Sequence, residues 1–294
     1  MNCVRSAFAV SHCGIAVFQS MIDSFVYRPD ASRAPAGSTP SDLARPFETV
    51  WLQASDGTRL HGWYLPARDA WHELLYCHGN AGDCRDWVYA VLPFVDAGCS
   101  CLVFDYRGYG ESEGKPSERG LFMDGEAAWA WVEARALAEG KPASILGKSL
   151  GSAVAVHIAA QASPASLVLD SAFTSMREVI ARRLPHLIGF AVPKLFESEG
   201  QVSRVRCPAL VIHGAEDSLV PLLHARRLHS RLQCANALKV VKGAGHNDVM
   251  GSGCYFDWVL AFLRDPIRFT SLQREGPVAA ATEEFPPYRV DRVS

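Results

Sequence analysis

Ala143-Ser144-Ile145-Leu146-Gly147-Lys148-Ser149-Leu150-Gly151 is the stretch on which the reading of this chain turns. Ala143–Leu146 is apolar enough for a short buried strand. The small and aliphatic residues from Leu150 to Gln161 read as a helix that packs closely on its neighbours. Between them, Gly147–Gly151 has the pattern Gly-x-Ser-x-Gly in a strand–turn–helix setting. In such a turn the serine is held at a sharp bend, and the flanking glycines let neighbouring backbone pass where a Cβ would clash. The helix N-terminus behind the serine favours developing negative charge. Ser149 is therefore the candidate nucleophile. Lys148 has no evident chemical task in the sequence and reads as a packing or hydrogen-bonding residue.

Working outward, strand and helix signals alternate. Phe47–Leu52 and Arg59–Leu65 flank the turn sequence Ser55-Asp56-Gly57-Thr58 and read as a hairpin. Further strands are expected at Glu73–Cys77, Ser100–Phe104, Ser166–Leu169, Ala209–His213 and Leu238–Val241. Helices are expected at Cys84–Ala97, Leu121–Ala138, Pro221–Leu232 and Tyr255–Leu263. Continuous apolar strands alternating with helices imply an α/β fold: a mostly parallel central sheet with helices on both faces. The hairpin would add antiparallel strands at one edge. Ligands bind such sheets beyond the carboxyl ends of the strands, so chemistry is expected just after each strand.

A serine hydroxyl needs a base, and the base needs an orienting carboxylate. His246 follows the expected strand Leu238–Val241 in Gly243-Ala244-Gly245-His246 and is the candidate base. Asp217 follows Ala209–His213 and is the candidate acid; Asp170, after the preceding strand, and the adjacent Glu216 are the alternatives. An oxyanion needs two preorganised donors. The Leu150 backbone N–H, directly after the nucleophile, supplies one. Asn80, in the loop His78-Gly79-Asn80-Ala81-Gly82, is the choice for the other. His78 is expected to shape that loop.

These segments, with Phe104-Asp105-Tyr106-Arg107-Gly108-Tyr109-Gly110-Glu111-Ser112, resemble the α/β-hydrolase superfamily. The likeness runs from about Phe47 to Leu263. It is narrower toward the branch of depalmitoylase-like and serine-aminopeptidase-like enzymes, whose segment leading into the domain Tyr27-Arg28-Pro29 also resembles. The resemblance implies an α/β-hydrolase fold, a catalytic triad, no cofactor, and a bracing role for the stretch from Asp105 to Ser112. Dehalogenases and epoxide hydrolases of the superfamily carry aspartate at the bend, so Ser149 argues against both.

The expected function is a serine hydrolase acting on acyl esters or thioesters, with a small-molecule or acylated-protein substrate. A peptidase is the first rival, with Glu197 and Glu199 as candidate amine binders. A catalytically inactive binding protein on the same fold is the second.

Other classes are disfavoured by composition. The 29 Lys+Arg and 31 Asp+Glu give a net charge of −2 with no basic run, unlike a nucleic-acid binder. The 9 cysteines are odd in number and scattered, which suits neither a disulfide framework nor a zinc site and points to a reducing, cytoplasmic setting. The run from Ser6 to Phe18 falls short of a membrane span. It is expected to be a short helix packed on the domain, with membrane association as the alternative. The expected organisation is an N-terminal helix and linker over 1–46, a hydrolase domain over 47–265 and a tail over 266–294. Residues 173–206 interrupt the alternation, and the apolar content of Met176–Leu184 and Pro185–Phe196 suits either a small lid or an ordinary connecting helix.

Overall fold

The computed structural model describes residues 20–31, 38–184 and 192–272. Its strands are β1 (Glu48–Gln53), β2 (Arg59–Leu65), β3 (His72–Cys77), β4 (Cys99–Phe104), β5 (Ala143–Lys148), β6 (Ser166–Asp170), β7 (Ala209–Gly214) and β8 (Asn236–Val241). The helices are α1 (residues 20–26), α2 (Cys84–Asp96), α3 (Glu118–Glu139), α4 (Leu150–Ala159), α5 (Met176–Ala181), α6 (Ser198–Gln201), α7 (Leu222–Arg231), α8 (Tyr255–Arg264) and α9 (Pro266–Leu272).

One sheet runs in the order β1-β2-β4-β3-β5-β6-β7-β8. The hairpin β1–β2 and the pair β2–β4 are antiparallel, and every later pair is parallel. At the hairpin, Gly57 takes a left-handed φ of 88° and donates its N–H to Ala54 O. That geometry suits glycine because no Cβ must be accommodated.

Side chains alternate across the sheet, so each strand feeds two cores. Leu75, Cys77, Ile145 and Leu169 pack on one face with Val132 of α3 and Val154 of α4. Leu74, Tyr76, Leu146 and Val168 pack on the other with Val91 of α2 and Phe262 of α8. Burial on both faces explains why these strands read as unbroken apolar runs. Truncating one such leucine to alanine costs about 2–5 kcal/mol. Ser117 caps α3 by accepting from Gly120 N–H, and Gly140 closes it in the left-handed conformation at φ 64°.

The expected tail over 266–294 does not begin at 266. Residues 266–272 form α9, and Phe269 is buried edge-on to Phe262 at 5.6 Å between ring centres. Its other large apolar residues, Ile267 and Leu272, are exposed, so no apolar stripe marks the buried face, which is why this short helix escapes the sequence pattern. The segment Met176–Leu184, expected as either a lid or a connecting helix, contains α5, capped by Ser175 accepting from Glu178 N–H. Most of the expected Pro185–Phe196 segment, and the whole run from Ser6 to Phe18, lie outside the described residues. Among those described, no helix is long and apolar enough to cross a membrane.

Candidate active site

The bend after β5 is strained. Ser149 has φ 51° and ψ −113°, a region a residue bearing a side chain occupies only when its surroundings enforce it. A Cβ on Gly151 would lie 2.0 Å from Cys77 O, and one on Gly147 would lie 2.4 Å from Gly151 O. Both positions therefore require glycine. Ser149 N–H donates to Asp170 O at 2.9 Å, which ties the bend to β6. Leu150 is the first residue of α4, so its N–H has no partner within the helix.

His246 comes from the loop after β8. Its Nε2 lies 2.9 Å from Ser149 Oγ, and its Nδ1 lies 2.6 Å from Asp217 Oδ2. Gly214, at the end of β7, allows this: a Cβ there would sit 2.3 Å from Ala244 O, so the histidine loop closes directly over the strand end. Asp217 Oδ1 accepts from the N–H groups of Leu219 and Val220 at 3.0 and 2.8 Å. His213 Nε2 lies 3.3 Å from Oδ2 and donates to Val220 O at 2.7 Å. Burial alone would raise the Asp217 pKa. The hydrogen bonds with His213 and His246, the charge of His246 and the Val220 N–H outweigh burial and hold the carboxyl well below the usual carboxylate range.

The rival acid has a different partner. Asp170 Oδ1 receives Lys148 Nζ at 2.9 Å and Ser171 Oγ at 2.8 Å. Both Lys148 and Asp170 are buried. Lys148 also donates to Ser171 Oγ at 2.9 Å and to the backbone carbonyl of His246 at 2.8 Å. The lysine therefore fastens the histidine loop to the ends of β5 and β6. The sequence named Lys148 as a packing or hydrogen-bonding residue but did not show which groups it holds. The lysine's place inside the Gly-x-Ser-x-Gly turn was the available signal.

The loop after β3 is fixed from several directions. Asn80 O accepts from Arg28 N–H at 2.9 Å and from Tyr109 Oη at 3.0 Å. Trp87 Nε1 donates to Ala81 O, and Tyr106 Oη donates to His78 O. Burial pushes the His78 pKa down, and its neutral ring holds Gly79 O at 2.7 Å through Nδ1. In a trans peptide the N–H points away from the carbonyl, so this bond directs the Asn80 N–H away from His78.

The stretch after β4 braces the same loop. Asp105 accepts from Cys84 N–H, at the start of α2, and contacts His61 Nδ1 at 3.2 Å. Arg107 is paired with Asp124 and Asp56. His61, Cys84 and Asp105 are the one group of potential metal ligands that converges among the described residues. Both Asp105 oxygens already hold these contacts, and burial drives the Cys84 thiol far above its ordinary pKa, against the thiolate a metal would need. This cluster is a brace.

Ser149, Leu150, Asn80 and His246 line a common cavity of about 670 Å³. Much of its wall is apolar, from Met21 and Phe25 on α1 to Phe173, Met176 and Val179 at α5. Among the described residues, no Asp or Glu lines it. Glu199, a candidate amine binder, lies elsewhere, paired with Arg227 and Arg231.

A family model described as "alpha/beta hydrolase fold" matches residues 74–200, and one described as "TAP-like protein" matches residues 191–268. An uncharacterized protein of Mycobacterium tuberculosis is 38% identical over 226 residues, covering 76% of this chain and 79% of the relative. The human alpha/beta hydrolase domain-containing protein 17B is 31% identical, covering 74% of this chain and 75% of that protein. Among solved structures, the Pyrococcus furiosus esterase Pf2001 superposes with a TM-score of 0.64 at 21% identity, over 84% of this chain and 99% of its own. The chain belongs to the α/β-hydrolase family.

Proposed function

We propose that the protein is a serine hydrolase that cleaves acyl esters or thioesters through an acyl-enzyme on Ser149. The observation that carries this reading is the hydrogen-bonded series Ser149–His246–Asp217 at the wall of an apolar cavity. Ser149 Oγ bonds to the acyl carbon as its proton passes to His246 Nε2, and the carbonyl electron pair moves onto oxygen. The N–H groups of Leu150 and Asn80 receive that oxyanion. Asp217 keeps Nδ1–H of the imidazole in place and stabilises the imidazolium. As the carbonyl re-forms, the alcohol or thiol departs with the proton from Nε2. Water, deprotonated by His246, then attacks the acyl-enzyme; the acid is released and Ser149 regains its proton.

Two relatives support an ester substrate through their names. A zebrafish protein called lysophosphatidylserine lipase ABHD12 is 32% identical over 237 residues, and the Pyrococcus protein is called an esterase. The cavity argues against an aminopeptidase, because a substrate ammonium would find no carboxylate on its wall among the described residues.

Fluorophosphonate labelling and turnover of p-nitrophenyl acyl esters test the assignment. Wild type is expected to label and to hydrolyse; Ser149→Ala, while still folded, is expected to do neither. Near-wild-type hydrolysis by Ser149→Ala would remove Ser149 as the nucleophile.

A further inference from the structure

The cavity beside Ser149 holds more positive charge than ester cleavage needs. Among the described residues its lining includes Arg28, Lys148 and Arg183 and no acidic side chain. Lys148 is neutralised by Asp170. Arg28 and Arg183 are exposed, and among the described residues neither is in an ion pair.

Both arginines belong to the lining of that cavity. Arg28 lies just past α1, and its backbone is bridged to Ala81: Arg28 N–H donates to Asn80 O, and Gly82 N–H donates to Arg28 O at 3.3 Å. One arginine is thereby anchored beside the loop assigned to the oxyanion. Arg183, just past α5, lies over the Phe25 ring, 5.7 Å from its centre. Phe25 and both arginines line the same cavity. Phe173, Met176 and Val179 offer the acyl chain an apolar wall.

A single carboxylate is satisfied by one guanidinium fork. A phosphate, with three equivalent oxygens and up to two charges, can engage two. We infer that Arg28 and Arg183 form an anion subsite for the phosphate of an acyl ester or thioester whose leaving group is phosphorylated. This rests on the acyl-transfer reading of Ser149 and adds the chemistry of the leaving group to it.

The test uses two matched pairs of substrates: decanoylglycerol against decanoylglycerol phosphate, and S-decanoyl-N-acetylcysteamine against decanoyl-coenzyme A. The phosphorylated member is expected to have the higher kcat/KM in at least one pair. A preference in the oxygen-ester pair assigns a phosphorylated glycerol-type substrate, and one in the thioester pair assigns a coenzyme A-type substrate. In Arg28→Gln/Arg183→Gln that preference should fall roughly 10–100-fold, through KM, the worth of one or two charge-assisted hydrogen bonds. Arg28→Lys/Arg183→Lys should keep part of it, because charge survives without the planar fork. Added salt should erode the wild-type preference, since the cations are exposed. Equal turnover within both pairs overturns the subsite, as does a preference untouched by the glutamine variant. If no member of either pair is hydrolysed and the fluorophosphonate fails to label Ser149, the acyl-transfer reading itself falls.

Discussion

The ends of β6 and β7 carry the same chemical group to opposite fates. Asp170 ends and Asp217 follows an apolar parallel strand, on the edge of the sheet where Ser149 lies. The Asp217 loop runs five residues past the strand before Val220, and two backbone N–H groups grip one oxygen while the other faces the imidazole of His246. Asp170 is the last residue of its strand and sits directly opposite Lys148 in the β5–β6 register. The lysine takes its oxygen before any imidazole can. Position at a strand end qualifies a carboxylate for the proposed acid role, and the neighbour across the ladder decides whether it is free to serve.

The largest expected effect breaks the symmetry of the two acids. Asp217→Asn should lower kcat for a p-nitrophenyl ester on the order of 10⁴-fold, because the amide presents the wrong partner to Nδ1–H. Asp170→Asn should cost far less, since its side chain touches no reacting group. Steady-state kinetics on both variants decide the matter. If Asp170→Asn were the more damaging in kcat, with the protein still folded, the assignment of roles to the two strand ends would be reversed.

A pH titration sharpens the same contrast. The native Asp217 carboxyl lies below its unfolded value, so its contribution to stability is complete above an unfolded pKa of about 3.9 and fades as pH falls toward the native pKa. The difference in unfolding free energy between wild type and Asp217→Asn should therefore hold steady at neutral pH and shrink below about pH 4. Denaturant melts at successive pH values measure it. A difference that grew with acid would contradict the hydrogen-bonded, ionised Asp217 in the structure.

Lys148 is the next lever, because it links the two regions. Lys148→Met removes the partner of a buried carboxylate and should cost about 3–5 kcal/mol of stability. It also releases the carbonyl of His246, so kcat should fall while KM changes little. Lys148→Met/Asp170→Asn separates the two consequences. Thermal stability should largely return once the unpaired charge is gone, but kcat should stay low because His246 has still lost its anchor. Full recovery of kcat in the double variant would reduce the lysine to a counter-ion.

Much of this was legible before the fold was seen. Strand–turn–helix around Ser149 and the glycines before His246 pointed to the serine and histidine that the structure brings into contact, because the close approaches at Gly147, Gly151 and Gly214 leave a mark in residue type. The choice between Asp170 and Asp217 was harder to read. It depends on the register of β5 against β6, which pairs Ser144 with Ser166 and Lys148 with Asp170. The apolar residues between them, Ile145-Leu146 and Leu167-Val168-Leu169, are interchangeable to a sequence pattern, so alternation alone does not fix the offset. The buried contact Ser144 Oγ–Ser166 Oγ at 2.7 Å was the polar clue on the same face. The rim formed by α1 and α5 was less visible still, because it depends on where the chain before the domain packs and not on any periodic signal.

The smallest effect tests how finely the β6 end is built. Ser171 follows Asp170 with φ 52°, and its Oγ sits among Asp170 Oδ1, Lys148 Nζ and the His246 carbonyl, at 2.8, 2.9 and 3.3 Å. One hydroxyl proton cannot serve both the carboxylate and the carbonyl, and the shorter contact belongs to Asp170. Lys148 holds the carbonyl independently. Ser171→Ala keeps the same backbone strain, since alanine also carries a Cβ, and removes one donor and one acceptor. Lys148 and Asp170 keep each other, so the loss in stability should be about 1 kcal/mol and kcat should change less than in Lys148→Met. Chemical denaturation and ester kinetics on Ser171→Ala measure both quantities. A kcat loss as large as that of Lys148→Met would move the anchoring of the histidine loop from the lysine to the serine.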